Sequence, residues 1–131
     1  MSARSKARKK ALDVLYEAEA RGVSAADVLD ATTEAAVQGM NPYTAELVWG
    51  VVEHADRIDD LLATYSMGWT LDRMPAVDRN LLRIGTYEIL WGDDVPDAVA
   101  INEAVELARS LSTDESPSFV NGLLARILSV K

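Results

Sequence analysis

Residues 76–91, AVDRNLLRIGTYEILW, predict the element around which the rest of the chain packs. The apolar residues of this stretch recur at helical spacing and spread around much of the circumference of a helix, instead of forming one stripe. Such a helix is covered by neighbours on most sides. Because Pro75 precedes the stretch and Gly-Asp-Asp follows it at 92–94, we expect a central, largely buried α-helix here.

Three further helices are predicted upstream of this central helix. Residues 2–21 carry an apolar stripe at helical spacing, and Gly22 follows as a stop signal. Ser24 can cap a second helix that extends towards residue 39. Residues 42–65 have the clearest stripe, after Asn41 as a cap, and predict one helix of about six turns.

Two helices are predicted downstream. The stretch 66–75 breaks the helical pattern and is expected to contain only a short turn of helix. Pro96 and Asp97 open a fifth long helix, and Ser116-Pro117 opens a sixth. Strand signals are nearly absent and the loops are short, so the sequence predicts an all-α bundle of about six to seven helices.

Composition indicates a folded domain. The 131-residue chain is 49% hydrophobic and 26% charged, which is enough apolar material for a core. It has no cysteine, which excludes disulfides and thiolate metal sites and is typical of a cytoplasmic protein. No apolar run approaches the length of a membrane span. We therefore expect one domain over residues 1–131, without a membrane partner.

Charge is distributed unevenly. The net charge is −8, yet residues 1–10 form a basic arm without any acidic residue. The rest of the chain carries 8 basic and 21 acidic residues, a balance of −13. This asymmetry points to one localised site for a polyanion, although a solubilising N-terminus would have the same composition.

Catalysis is not expected from the residues available. The chain has one histidine, His54, and no cysteine, glycine-rich phosphate loop or paired-ligand metal motif. A metal or general-base site can be imagined around His54, with the nearby Glu53, Asp56 and Asp59. The favoured interpretation is a solvated helix flank, so no metal or cofactor is predicted.

The basic arm is the better candidate site. Arginine offers a planar fork of donors to phosphate and a flat face to bases, and lysine adds charge. Sequence preference would also need an aromatic side chain nearby, for which Tyr16 and Phe119 are candidates, with core packing as the alternative for each. The basic residues of the arm are Arg4, Lys6, Arg8, Lys9 and Lys10.

Trp49 is a second candidate. It lies nearly opposite the apolar stripe of its helix, on the face that carries Glu53, Asp56 and Asp60. A tryptophan on a polar face is typical of a surface covered by another helix or by a partner. Both interpretations stay open.

Several stretches resemble the NusB family of bacterial transcription antitermination factors. They are the pattern Arg-x-x-Ala-x-x-x-Leu-Tyr at 8–16, Leu-Arg-Ile-x-x-Tyr-Glu-Ile at 82–89, VAINEAVELA at 99–108 and FVNGLL at 119–124. Their order and spacing extend over nearly the whole chain, which is identified on them as a member of this family. Asn102-Glu103 and Asn121-Gly122 within them are expected to be fold signatures, buried and hydrogen-bonded near helix starts.

The resemblance implies a fold and a function. It implies two three-helix halves and no catalytic step or cofactor. It also implies binding of boxA RNA together with the ribosomal protein NusE, in an antitermination complex with RNA polymerase on ribosomal RNA operons. An acidic body suits a basic ribosomal protein as partner.

The resemblance also implies roles for individual residues. Arg4, Lys6 and Arg8 match the RNA-binding arm, with Lys9 beside them, and Phe119 matches an aromatic RNA contact at a helix start. Tyr16 and Asp78 match the surface that faces NusE, to which we add Trp49. Ser5 and Ser118 stand where the family often has basic residues, which would weaken binding to RNA alone.

Two alternatives remain open on the sequence. NusB-like domains also form the RNA-binding part of some ribosomal RNA methyltransferases, so the chain could be a fragment of such an enzyme. Alternatively, exposed Trp49, Trp69 and Phe119 could form the interface of a homodimer.

Overall fold

The structure, a computed structural model, describes residues 1–131 and consists of helices joined by short loops. The all-α prediction is confirmed, and no helix combines the length and the apolar character needed to cross a membrane. The α-helices are α1 (Ala3–Arg21), α2 (Ala25–Ala35), α3 (Pro42–Glu53), α4 (Ala55–Tyr65), α5 (Ala76–Trp91), α6 (Asp97–Leu111) and α7 (Ser116–Ser129). A short 3-10 helix, Leu71–Arg73, provides the predicted turn between α4 and α5.

The helix ends follow the capping residues read from the sequence. The Ser24 hydroxyl accepts a hydrogen bond from the Asp27 amide at 3.1 Å, and the Asn41 side chain accepts one from the Tyr43 amide at 2.9 Å. Gly22 ends α1 in the left-handed conformation with φ of 67°. Local side-chain chemistry therefore fixes these boundaries.

The prediction of one helix over residues 42–65 is wrong. The chain leaves helical geometry at His54, with φ of −104° and ψ of 18°, and divides into α3 and α4. The division lets α3 pack against α1 and α5, while α4 packs against α5 and α7. The half formed by α1–α3 has three helices as expected, and the half formed by α4–α7 has four.

His54 also differs from the expected solvated flank. Its ring stacks on the indole of Trp91, with centroids 3.8 Å apart and planes 10° from parallel. His54 and its neighbouring carboxylates do not form a group that could hold a metal ion.

Helix α5 is central, as predicted. It packs against α1, α3, α4, α6 and α7, and Leu82 at its middle is fully buried. Gly85 allows α7 to approach closely, because a Cβ there would lie 2.8 Å from a methyl carbon of Leu124. One apolar core connects all seven α-helices through this element.

Candidate nucleic-acid interface and partner surfaces

The basic arm is a helix rather than an extended tail, because α1 begins at Ala3. Lys6 and Lys10 are exposed and have no ion-pair partner. Lys9 pairs with Asp13 at 2.8 Å, one helical turn further along. The first turns of α1 therefore present two free cations and one that is paired only at the surface, where such pairs are weak.

Arg4 is held at the surface by two contacts. Its guanidinium donates to Asp94 at 2.7 Å and lies 4.3 Å from the centre of the Tyr43 ring. The hydrogen bond from Arg4 lowers the pKa of the exposed Asp94 carboxyl. Because both partners are solvated, a phosphate can replace Asp94 at little cost.

The structure places Arg8 differently from the expectation that it contacts RNA. Arg8 is only 3% exposed, and its guanidinium donates to both carboxylate oxygens of Glu88 at 2.9–3.0 Å. Burial opposes the charge of Arg8, but the hydrogen bonds and charge of Glu88 raise its pKa overall. Tyr43 also donates to Glu88, and Glu103 lies 3.4 Å from Arg8. These contacts leave no face of the guanidinium open to a phosphate, so Arg8 ties α1 to the core.

An aromatic groove lies at the start of α7. Phe119 is half-buried there, and Trp69 is 54% exposed, with the two ring centroids 6.3 Å apart and the planes 58° from parallel. The groove encloses about 380 Å³ and has Met74 in its wall. The sequence did not assign Trp69 to an RNA site, because residues 66–75 show no periodic pattern. The only signal in the sequence is that residue 69 is a tryptophan.

Asp78 forms the floor of the aromatic groove instead of facing a partner. It is 2% exposed and accepts hydrogen bonds from the hydroxyls of Ser112 at 2.5 Å and Ser116 at 2.8 Å. These bonds attach the turn between α6 and α7 to the start of α5. Asp78 therefore positions the turn that leads into α7 and Phe119, and it offers no surface for direct contact with another protein.

Tyr16 and Trp49 are both surface residues. Tyr16 is 45% exposed on α1, and Trp49 is 48% exposed on α3. Core packing is therefore the wrong alternative for Tyr16, and no second layer of helix covers Trp49. The two side chains are available to a partner, from different helices.

The expected buried hydrogen bonds of the family signatures are present only in part. Asn102 and Asn121 are exposed and make no side-chain hydrogen bond within the chain, so this expectation is wrong for both. Glu103 does connect elements, since it accepts a hydrogen bond from the hydroxyl of Ser5 at 2.7 Å. Ser5 is buried by this contact, at the position where the arm is interrupted.

The arm lies beside the first half of α6, and the aromatic groove lies at the C-terminal end of this helix. Glu103 contacts the start of α1, whereas Ser112, just after α6, contacts Asp78 in the groove. Nine residues separate these two contact points, which is about 14 Å along a helix. An RNA that reaches both sites must therefore extend over several nucleotides.

Comparison with known proteins places this architecture in one family. The model of the NusB family matches residues 5–129. The transcription antitermination protein NusB of Arthrobacter sp. (strain FB24) is 63% identical over the whole chain and 96% of its own length. The protein of the same name from Thermobifida fusca (strain YX) is 57% identical over 98% of this chain and 90% of its own.

Solved structures agree in fold. The structure of T. maritima NusB has a TM-score of 0.86 and 34% identity, covering 98% of this chain and 92% of its own. A crystal structure of the antitermination factors NusB and NusE in complex with dsRNA has a TM-score of 0.87 and 27% identity, covering 100% and 99%. The chain therefore belongs to the NusB family.

Proposed function

We propose that this protein is a transcription antitermination factor that binds boxA RNA together with NusE. One observation carries the proposal: an otherwise acidic protein presents free cations beside the first half of α6 and an exposed aromatic groove at the C-terminal end of this helix. Its relatives carry the name of transcription antitermination protein, and a structure of NusB and NusE contains RNA. The proposed function needs no cofactor and no catalytic step, and it places the protein in the cytoplasm with RNA polymerase.

In this proposal the RNA is held by the arm, beside the first half of α6, and by the aromatic groove at the C-terminal end of α6. Lys6, Lys9 and Lys10 contact phosphates, and Arg4 joins them by exchanging Asp94 for a phosphate. Phe119 and Trp69 stack on unpaired bases, which gives the aromatic groove its role. Arg8 acts indirectly, because its bond to Glu88 keeps the arm helical and in place.

NusE is proposed to bind the surface that includes Tyr16 on α1. The acidic balance of the chain outside the arm favours a basic ribosomal protein there, and Tyr16 supplies exposed aromatic area. Residues 1–131 then act as one RNA-binding domain with its basic arm at 1–10. The antitermination complex forms when RNA and NusE are bound together and engage the polymerase.

The test is fluorescence anisotropy of labelled boxA RNA and a scrambled RNA, with and without NusE, over a salt series. We expect preference for boxA that NusE strengthens. Phe119→Ala should weaken binding by about 5- to 150-fold, from the loss of one base stack. Lys6→Ala with Lys10→Ala should flatten the log–log salt slope by about 1.4.

A matched control is Glu34→Gln, which changes an exposed charge on α2 and should leave RNA affinity unchanged. Equal binding to boxA and scrambled RNA, unaffected by NusE and by Phe119→Ala, would overturn the proposal. It would leave a nonspecific basic helix as the only RNA contact.

Self-association is the second candidate function, because the exposed Trp69 and half-buried Phe119 give the groove an apolar surface. Sedimentation over a dilution series tests it. A monomer at every concentration excludes the dimer. If the protein is a dimer and Trp69→Ala makes it monomeric, the interface includes this groove.

A further inference from the structure

A second aromatic surface lies where α3 crosses the end of α5. His54, Tyr87 and Trp91 form a partly exposed stack, in which the rings of Tyr87 and Trp91 have centroids 6.2 Å apart and planes 25° from parallel. Gly50 permits the crossing, because a Cβ at this position would overlap the Tyr87 ring. Trp49, the residue before Gly50 on α3, is 48% exposed. We call Trp49, His54, Tyr87 and Trp91 the aromatic shelf.

The aromatic shelf is separate from the aromatic groove. Asp78 in the groove and Tyr87 in the shelf are nine residues apart on α5, which is about 14 Å along the helix, and Trp91 lies about 6 Å further. The proposed contacts with RNA bases therefore do not use the shelf.

Unpaired carboxylates surround the aromatic shelf. Glu46 and Glu53 lie one turn before and after Trp49 on α3, and Asp93 follows the end of α5. All three are exposed, and none forms an ion pair within the chain. Their charges reach the shelf, since they add to burial in raising the pKa of the Tyr87 hydroxyl.

We propose that the aromatic shelf binds an arginine-bearing segment of a protein partner. A guanidinium stacks on indole and phenol faces and donates hydrogen bonds to carboxylates along its edge, so exposed rings flanked by free acids match both its faces and its edge. RNA phosphates are disfavoured on the shelf itself because Glu46, Glu53 and Asp93 repel them, and the phosphate proposed at Arg4 takes the place of Asp94, outside the four shelf residues. The inference goes beyond RNA binding by the arm and groove, which would stand if the shelf had no partner.

The three tryptophans of the chain, Trp49, Trp69 and Trp91, allow a site-resolved test. Each indole N–H gives one signal in a ¹H–¹⁵N spectrum of the full-length protein. The probe is an eight-residue peptide of alternating arginine and glycine, compared with peptides that carry lysine or glutamate instead. We expect the arginine peptide to shift Trp49 and Trp91 and to leave Trp69 unmoved, the lysine peptide to bind more weakly, and the glutamate peptide not to bind.

Charge variants provide the second arm of the test. Glu46→Gln with Glu53→Gln should weaken binding of the arginine peptide by about fivefold or more, whereas Glu34→Gln on α2 should not change it. Equal shifts of all three tryptophans, or no shift at millimolar peptide, would overturn the proposal.

Labelled boxA RNA separates this inference from the proposed function. RNA that shifts Trp69 alone supports both assignments. If RNA shifts the indole signals of Trp49 and Trp91, the shelf binds nucleic acid and the inference is overturned. If RNA shifts no indole signal while the arginine peptide still does, the result counts against the proposed function and not against this inference.

Discussion

Replacing Arg8 tests whether this residue holds the fold or the RNA. The Arg8 and Glu88 side chains are 4% and 1% exposed, and the pair is bidentate. Arg8→Met leaves the Glu88 carboxylate buried, with the Tyr43 hydroxyl as its remaining close partner. Breaking a buried pair from one side costs about 3–5 kcal/mol, which is a large part of the 5–15 kcal/mol typical of a whole domain.

A double variant, Arg8→Met with Glu88→Gln, removes the buried charge that Arg8→Met alone leaves on Glu88. Glu88→Gln in the Arg8→Met background keeps an amide oxygen that can accept from Tyr43, while no buried charge remains. Because replacing both members of a buried pair is often close to neutral, we expect the double variant to recover most of the lost stability. The measurement is urea unfolding followed by circular dichroism, with Lys9→Met as the matched control for a surface cation on the same helix.

RNA binding by the same variants separates a structural role of Arg8 from a direct contact with RNA. The recovered double variant should bind boxA RNA within about twofold of the unmodified protein, with an unchanged salt slope, because no phosphate contact has been removed. A loss of less than about 1 kcal/mol in Arg8→Met would mean that Glu88 is not left as an uncompensated buried charge, and would contradict a structural role for the pair. If the log–log salt slope of the double variant is flatter by about 0.7, one phosphate contact has been lost and Arg8 contacts RNA directly.

Three further predictions concern residues that support the two surfaces or join α1 to α5. Gly50→Ala should lower stability by about 1–3 kcal/mol in urea unfolding, because its Cβ overlaps the Tyr87 ring; an unchanged midpoint would contradict the close crossing. Glu19→Gln should lower stability at neutral pH and match the unmodified protein in acid. Hydrogen bonds from Arg79 and then Arg83 lower the pKa of Glu19 from 4.5. The stability that the Glu19 carboxylate contributes is therefore fully present above pH 4.5 and is lost as the pH falls through the folded pKa. A difference in unfolding free energy between the variant and the unmodified protein that stays constant from pH 3 to 7 would contradict this. Asp78→Ala should lower stability by about 1–3 kcal/mol, because two serine hydroxyls lose their acceptor, and should weaken boxA binding by loosening the turn before Phe119; RNA affinity equal to that of the unmodified protein would show that the turn holds without it.

The sequence predicted helix ends better than it predicted contacts between helices. Capping residues such as Ser24 and Asn41 act within one turn, so their effect is visible locally. The break at His54 was missed because the apolar stripe continues through it, from Val51 to Ile58. The break coincides with a ring stack on Trp91, a residue 37 positions further along the chain, which no local pattern reveals.

The burial of Arg8 did leave a signal in the sequence. Arg8 stands three, four and seven residues before Ala11, Leu12 and Leu15, so it lies on the apolar stripe of α1. Glu88 likewise stands among the apolar residues of the central helix. A basic residue on one buried stripe and an acidic residue on another predict a buried pair, whereas membership of a basic run suggested a surface role.

In the proposed function, burial of Arg8 changes how the arm would meet RNA. A flexible arm would lose conformational entropy when each cation met a phosphate, at about 0.5–1.5 kcal/mol per ordered side chain and more for the backbone. Here Ser5 and Arg8 are already bonded to Glu103 and Glu88, so the backbone of α1 is ordered before RNA arrives. Lys6 and Lys10 are consequently held one helical turn apart on a rigid support. In the proposed function, the buried Ser5 and Arg8 therefore lower the entropic cost of binding through the exposed Lys6 and Lys10, which would let an acidic protein bind a polyanion with few cations.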